Sequence, residues 1–109
     1  MTAASDELAA RLRPLLARKG VEEKKMFGGV GFMLGGNMLI GTTAKGALLV
    51  RIDPARADDA LARGADLMHM GGRVMSGFVS VDVRRLNDDA SLKDWIAYST
   101  AYVKTLPAK

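Results

Sequence analysis

The chain has no cysteine and a single histidine among its 109 residues. Disulfides, thiolate metal sites and thiol nucleophiles are excluded, so the fold has to stand on packing alone. With one histidine and no spaced set of carboxylates there is no metal-ligand pattern, and neither a metal nor a cofactor is expected. No window reaches the ~18 uninterrupted apolar residues that a membrane helix needs. The N-terminus opens with Ser5, Asp6 and Glu7 rather than with a basic and then apolar signal segment. A cytoplasmic protein without membrane association is therefore expected. Charge is missing altogether between Lys25 and Lys45, and in that gap lies the stretch around which the rest of the chain is organised.

Short apolar runs fill the gap and its flanks: Val30-Gly31-Phe32-Met33-Leu34, Met38-Leu39-Ile40 and Ala47-Leu48-Leu49-Val50. Gly35-Gly36-Asn37 and Ala44-Lys45-Gly46 separate them, each short enough for a hairpin connection, so the stretch reads as a β-meander. At 49% hydrophobic residues, the length suits one compact domain spanning residues 1–109.

The flanking segments read as helices and further strands. Ser5 is a candidate N-cap, with Asp6 and Glu7 in the first turn and Leu8, Leu12, Leu15 and Leu16 on one face, which predicts a helix from Ser5 to Lys19 before Gly20. Pro14 predicts a kink or a break within it, because proline removes one hydrogen bond and clashes with the carbonyl of Ala10. Glu22-Glu23-Lys24-Lys25 leads into Met26-Phe27 and Gly28-Gly29, a first strand or strand half ending in a bend. Asp53-Pro54 marks the start of a second helix through Arg63, with Ala57, Ala60 and Leu61 as its inner face. From Leu67 to Arg84 the signal is strand again, with Val79, Val81 and Val83 alternating with polar residues across a Gly71-Gly72 turn. Ser91 with Asp94 resembles a capping box that opens a third helix, whose stripe is Leu92, Trp95, Ile96, Ser99, Tyr102, Val103 and Leu106, up to Pro107.

Candidate chemistry is sparse. Gly28-Gly29-Val30-Gly31 has the glycines of a phosphate loop, but Leu34 stands where a dinucleotide fingerprint needs its third glycine, and no Gly-Lys-Ser or Gly-Lys-Thr follows. A bend or bulge entering a strand explains the glycines. His69 lies between Met68 and Met70 in a strand, and Ser76 sits in Met75-Ser76-Gly77, which is not a nucleophile elbow; nothing places the two side by side. No catalytic residue is assigned. Of the seven methionines, Met26, Met38 and Met68 read as core, whereas Met33 and Met75 alternate away from their apolar neighbours and are candidates for a contact surface.

The net charge of +4 and pI near 9.7 invite a nucleic-acid reading. The excess is spread over Arg11, Arg13, Arg18 and Lys19 at one end and Lys104 and Lys109 at the other, and between Arg51 and Arg73 four arginines balance four aspartates. A solubilising surface fits that distribution better, so nucleic-acid binding is expected to be weak.

Several segments taken together resemble the N-terminal domain of the TfoX/Sxy family. They are Lys25-Met26-Phe27-Gly28-Gly29-Val30, the Leu49-Val50-Arg51 strand, the run from Gly72 through Arg73-Val74-Met75-Ser76-Gly77-Phe78-Val79, Asp88-Asp89 leading to Trp95, and Leu106-Pro107. Relatives more often carry an acidic residue and then an aromatic one where this chain has His69-Met70-Gly71, and often proline at the position of Val74. The resemblance implies an α+β fold, a two-layer α-β(3)-α-β(2)-α arrangement with a mainly antiparallel sheet and helices on one face. It also implies a link to transcription regulation in natural competence. The chain ends at Lys109, so the likeness is to a stand-alone N-terminal domain without the C-terminal one. The family brings no catalytic residues, and a non-enzymatic regulatory or protein-interaction domain is the first expectation. A nucleic-acid-binding accessory domain comes second and an enzyme on an unidentified small substrate third.

One surface follows from alternation. If Leu48, Val50 and Ile52 face the helices, then Leu49 faces the other way, with Met33 and Phe78 as neighbours on other strands. Met33, Leu49 and Phe78 are therefore the expected interface, either of a homodimer through the open sheet face or of a docked protein partner.

Overall fold

The computed structural model describes residues 3–16, 21–26, 29–43, 46–70, 72–82, 84, 86 and 88–107. The elements run α1 (Ala3–Leu15), β1 (Val21–Met26), β2 (Gly29–Leu34), β3 (Asn37–Thr42), β4 (Leu48–Arg51), a 3-10 turn (Pro54–Arg56) continuing as α2 (Ala57–Ala62), β5 (Asp66–Met70), β6 (Arg73–Val81) and α3 (Asp89–Val103). The strands form one six-stranded sheet of order β1-β2-β3-β4-β6-β5, antiparallel at every pairing. α1 packs on β2 and β3, α3 on β3 and β4, and α2 on β5 and β6. The fold is α+β, as expected, with one strand more than the α-β(3)-α-β(2)-α order: four strands precede α2. The additional strand is the charged run Val21–Met26, which occupies an edge of the sheet. At an edge, charged side chains stay in water while the backbone still pairs on one side.

Strand pairing sorts the side chains, because partners across a ladder share a face. Phe32, Ile40, Val50 and Val79 form one continuous row through their cross-strand pairings. Each is 3% exposed or less, and they belong to the same buried cluster as Leu8, Leu12 and Leu16 of α1, Ala60 of α2, and Leu92, Trp95, Ile96 and Val103 of α3. One departure from regular alternation matters. Leu39 and Ile40 are adjacent, yet both are fully buried within this cluster. The β2–β3 register passes from Phe32↔Ile40 directly to Met33↔Met38, leaving Leu39 as the extra residue of a β-bulge. A bulge puts two consecutive residues opposite one, so both can turn toward the helices.

The helix boundaries differ from the sequence expectation at identifiable residues. α1 begins at Ala3, upstream of the expected cap Ser5, and ends at Leu15 rather than Lys19. Its end follows Pro14 by one residue, and the Leu16 amide closes the last turn on the carbonyls of Leu12 and Arg13; Arg18, Lys19 and Gly20 lie outside the described residues. α3 is capped by Asp88, whose carboxylate accepts from both the amide and the hydroxyl of Ser91, each at 2.9 Å. Ser91 is thus the third helical residue and not the cap, since the aspartate upstream reaches the same orphan amides. On α2, Ala60 is buried as expected, but Leu61 is 36% exposed, because the next residue along a helix is turned by ~100° from its neighbour. Among the described residues, no helix is long and apolar enough to cross a membrane.

Candidate functional site

The face of the sheet turned away from the helices is built from two rows. The first runs Lys24, Gly31, Gly41, Leu49, Ser80 and Asp66 through successive pairings. The second joins Glu22 to Met33 and Met33 to Met38, and continues on the far side of the bulge with the pair Arg51 and Phe78. Met33, Leu49 and Phe78 therefore do share this face. Their exposure differs from the expected apolar patch. Leu49 is only 3% exposed, while Met33, Met38 and Phe78 are half-buried. The Met38 methyl lies 3.0 Å from where a Cβ on Gly41 would stand, so methionine fills the space that the glycine beside Leu49 leaves. Met38 belongs to this face and not to the core, because the bulge inverts it relative to Ile40. Met75 lies on β6, and its side chain is outside the described ones.

Arg51 is the feature of this face that periodicity does not explain. Val50 and Ile52 on either side of it are core, so alternation directs its Cβ toward the open side, while its guanidinium is held between a ring of the sheet and a ring of α3. It stands 5.0 Å from the centre of the Phe78 ring and 5.8 Å from that of Tyr102, which reaches it from α3. Among the described residues its buried Nε has no hydrogen-bond partner, and no carboxylate pairs with it. Gly77 beside it stands at φ +88°, a conformation that L side chains rarely adopt, although a Cβ there would make only ordinary contact with Arg51 Nε at 3.6 Å. Rings at this distance favour a cation over a neutral group and hold its plane, while leaving its N–H donors unspent. From below, the backbone of Arg51 is fixed by Ser99, whose hydroxyl lies 2.7 Å from the Arg51 carbonyl and 2.6 Å from that of Leu39.

A second cluster braces α2 against α3. The Tyr98 hydroxyl donates to Asp59 at 2.8 Å, and Arg63 and Arg56 reach the same carboxylate oxygen at 3.3 and 3.5 Å. Arg63 also lies 4.4 Å over the Tyr98 ring, and Trp95 meets that ring edge-on at 5.7 Å. The hydrogen bond from Tyr98, with the two guanidiniums behind it, holds the Asp59 carboxyl below its ordinary range. Partial burial, and then the adjacent carboxylate, raise the Tyr98 phenol. Clefts of about 270 and 250 Å³ lie on either side of this bridge, small beside the ~300–1,000 Å³ of ordinary ligand pockets. A phenol that donates a hydrogen bond to an ionised carboxylate acts as a strut between α2 and α3; Ser91 and Asp94 line the first cleft, and Asp53 and Thr105 the second.

The remaining sequence candidates fall elsewhere. His69 and Ser76 lie on β5 and β6, with side chains outside the described ones, as are Phe27 and Gly28. No group of three potential metal ligands occurs among the described residues. The basic side chains of α1 do not form a free stripe. Arg11 donates to the Leu86 carbonyl at 2.7 Å and lies 3.6 Å from Asp89, and Arg13 grips Glu23 with two hydrogen bonds of 2.7 and 3.0 Å.

Compared with known families, the chain matches the model of the TfoX N-terminal domain over residues 11–102. No curated protein matches it.

Proposed function

The chain belongs to the TfoX N-terminal domain family, and from that premise we propose that it is a small non-enzymatic regulatory domain that binds a protein partner through the open face of its sheet. The observation that supports this reading is the composition of that face. It presents half-buried Met33, Met38 and Phe78 around an arginine that has no ion-pair partner among the described residues. Methionine adapts to a partner's shape, and arginine beside aromatic rings is the kind of group on which binding energy concentrates. A role in transcription regulation, as in the competence regulators the chain resembles, is within this reading. The test is affinity capture from native cytoplasm with wild type and Phe78→Glu as baits, each checked for an intact melting transition. A protein retained by the wild type and lost with the variant supports the reading; identical captures refute it.

The excess of positive charge favours nucleic acid as the second reading. Arg11 and Arg13 are already occupied within the chain, so we expect affinity no tighter than the ~1 μM usual for non-specific binding at ~150 mM salt. Submicromolar binding under those conditions would put nucleic acid first.

A further inference from the structure

We propose that the occupant of the open face is a second copy of this chain, held by two reciprocal Glu22–Arg51 ion pairs across a centre made of Met33 and Met38. The proposal rests on the reading of that face as a docking surface and adds the identity of the partner. Its basis is an unspent cation and an unspent anion at opposite ends of one row. Among the described residues Arg51 has no carboxylate partner, and its buried Nε has no hydrogen bond. Glu22 is exposed, and neither a hydrogen bond nor an ion pair within the chain engages it among the described residues. Its neighbour Glu23 is instead taken up by Arg13.

The sheet order makes the two groups self-complementary. Glu22 is on β1, Met33 on β2, Met38 on β3 and Arg51 on β4. At ~4.8 Å per strand, Glu22 and Arg51 are separated by about 14 Å, with the midpoint between the two methionines. A two-fold axis through that midpoint, parallel to the strands, lays β1 over β4 of the partner subunit and β2 over β3. Glu22 then faces Arg51 of the partner subunit twice over, and Met33 faces Met38 of the partner subunit. In the adjoining row the same axis sets Gly31 over Gly41 of the partner subunit, two positions without side chains, which lets the sheets close on the methionines. Phe78 lies just outside the overlap and holds the guanidinium from behind. An overlap of four strands is small beside the ~800 Å² per partner of a tight complex, so association in the micromolar range is expected.

Sedimentation equilibrium from ~10 to ~500 μM tests the arrangement with wild type, Glu22→Arg, Arg51→Glu and an equimolar mixture of the two variants. The wild type is expected to dimerise and each variant alone to lose at least tenfold in affinity. The mixture is expected to recover, because a Glu22→Arg copy and an Arg51→Glu copy again oppose unlike charges at both contacts. Arg51 packs against two rings, so Arg51→Glu is checked by its melting curve. Should it fail to fold, Arg51→Gln, which leaves β1 unchanged, takes its place: loss of dimerisation in Arg51→Gln supports the face, and normal dimerisation of Arg51→Gln overturns the proposal. A wild type that stays monomeric at ~500 μM, a Glu22→Arg protein that dimerises normally, or a mixture of folded variants without recovery would each overturn the proposal. None of these outcomes touches the docking reading, which stands or falls on the Phe78→Glu capture.

Discussion

Ser99 is the side chain whose loss should tell most about how this fold is held together. It is fully buried, and its hydroxyl sits 2.6 Å from the Leu39 carbonyl and 2.7 Å from that of Arg51. Leu39 is the residue that the bulge leaves without a partner on β2, and the β3–β4 register begins only at Ile40↔Val50. One hydroxyl proton from α3 therefore serves two carbonyls at the place where the ladders around β3 are interrupted. Ser99→Ala removes it while changing the side-chain volume little, so the cost is that of leaving buried acceptors unsatisfied, about 1–3 kcal/mol. For a domain near 100 residues each kcal/mol moves Tm by roughly 4–8 °C. The control is Thr100→Val at the next position. There the hydroxyl bonds only the Ile96 carbonyl within the helix, so its removal should cost no more than about 0.5–1 kcal/mol. Urea denaturation of the three proteins gives the comparison, with an unchanged m-value showing that stability alone has moved. If Ser99→Ala loses no more than Thr100→Val, the hydroxyl does not fasten α3 to the sheet at the bulge.

Trp95, only 8% exposed, should cost ~3–5 kcal/mol when replaced by alanine; because it is the only tryptophan, the melt has to be followed by circular dichroism, and an unchanged curve would remove α3 from the sheet. Gly41→Ala would put a Cβ 2.5 Å from the Val30 carbonyl oxygen, a backbone clash expected to cost about 1–3 kcal/mol, so a neutral Gly41→Ala in urea would contradict the close approach of β2 and β3 at that point. The Tyr98–Asp59 strut predicts a pH dependence with a definite sign. Asp59 is lowered chiefly by the Tyr98 hydrogen bond, so its stabilisation is present above about pH 4 and is lost as pH falls through the depressed value. Tyr98 is raised above 10 by burial and by Asp59, so its contribution is present below about pH 10 and is lost above the raised value. The Tm difference between wild type and Tyr98→Phe should then be widest between those limits and narrow on both sides. It should be modest, because the Asp59 side chain is 43% exposed and screened by solvent; a difference independent of pH would refute the linkage.

Much of the fold can be read from the residues. The meander follows from apolar runs broken by glycine, β6 from the alternation that buries Val79 and Val81, and α3 from a stripe of which Leu92, Trp95, Ile96, Ser99 and Val103 are all buried. The charged run before Gly28-Gly29 reads as a first strand and is β1, although it carries no apolar alternation, because at an edge neither face demands it. What escapes sequence reading has local causes. Leu39-Ile40 looks like any pair in a continuous apolar run, so the bulge that turns both inward, and turns Met38 outward, leaves no trace in composition. Leu49 points away from the helices as alternation requires, yet is buried beside a glycine filled by Met38. Half of the open face is legible: an arginine closing the apolar run Leu48–Val50 has to point away from the core. That its partners are two rings from β6 and α3 is a tertiary fact, because Phe78 and Tyr102 are far from Arg51 in the chain.

Where the charges of β1 stand bears on which surface of the sheet is open to association. An edge strand exposes unpaired backbone groups that invite another strand, and charged side chains along it oppose that pairing. In β1, Glu22, Glu23, Lys24 and Lys25 are all exposed. Self-pairing of this edge about a two-fold axis normal to the sheet must set a residue against itself at the centre of the strand. Glu23 would face its own copy in one register and Lys24 in the next, and like charges directly opposite are destabilising. The open face has no such conflict, because its row begins with an anion and reaches a cation two methionines later. Glu22→Arg separates the two surfaces. It keeps the edge charged, and in the register centred on Glu23 it sets the introduced guanidinium against Lys24 of the partner subunit, while on the face it opposes Arg51. The copy carrying Arg51→Glu leaves β1 as it is in the wild type, so association lost in Arg51→Glu assigns the contact to the face, and association lost only in Glu22→Arg assigns it to the edge.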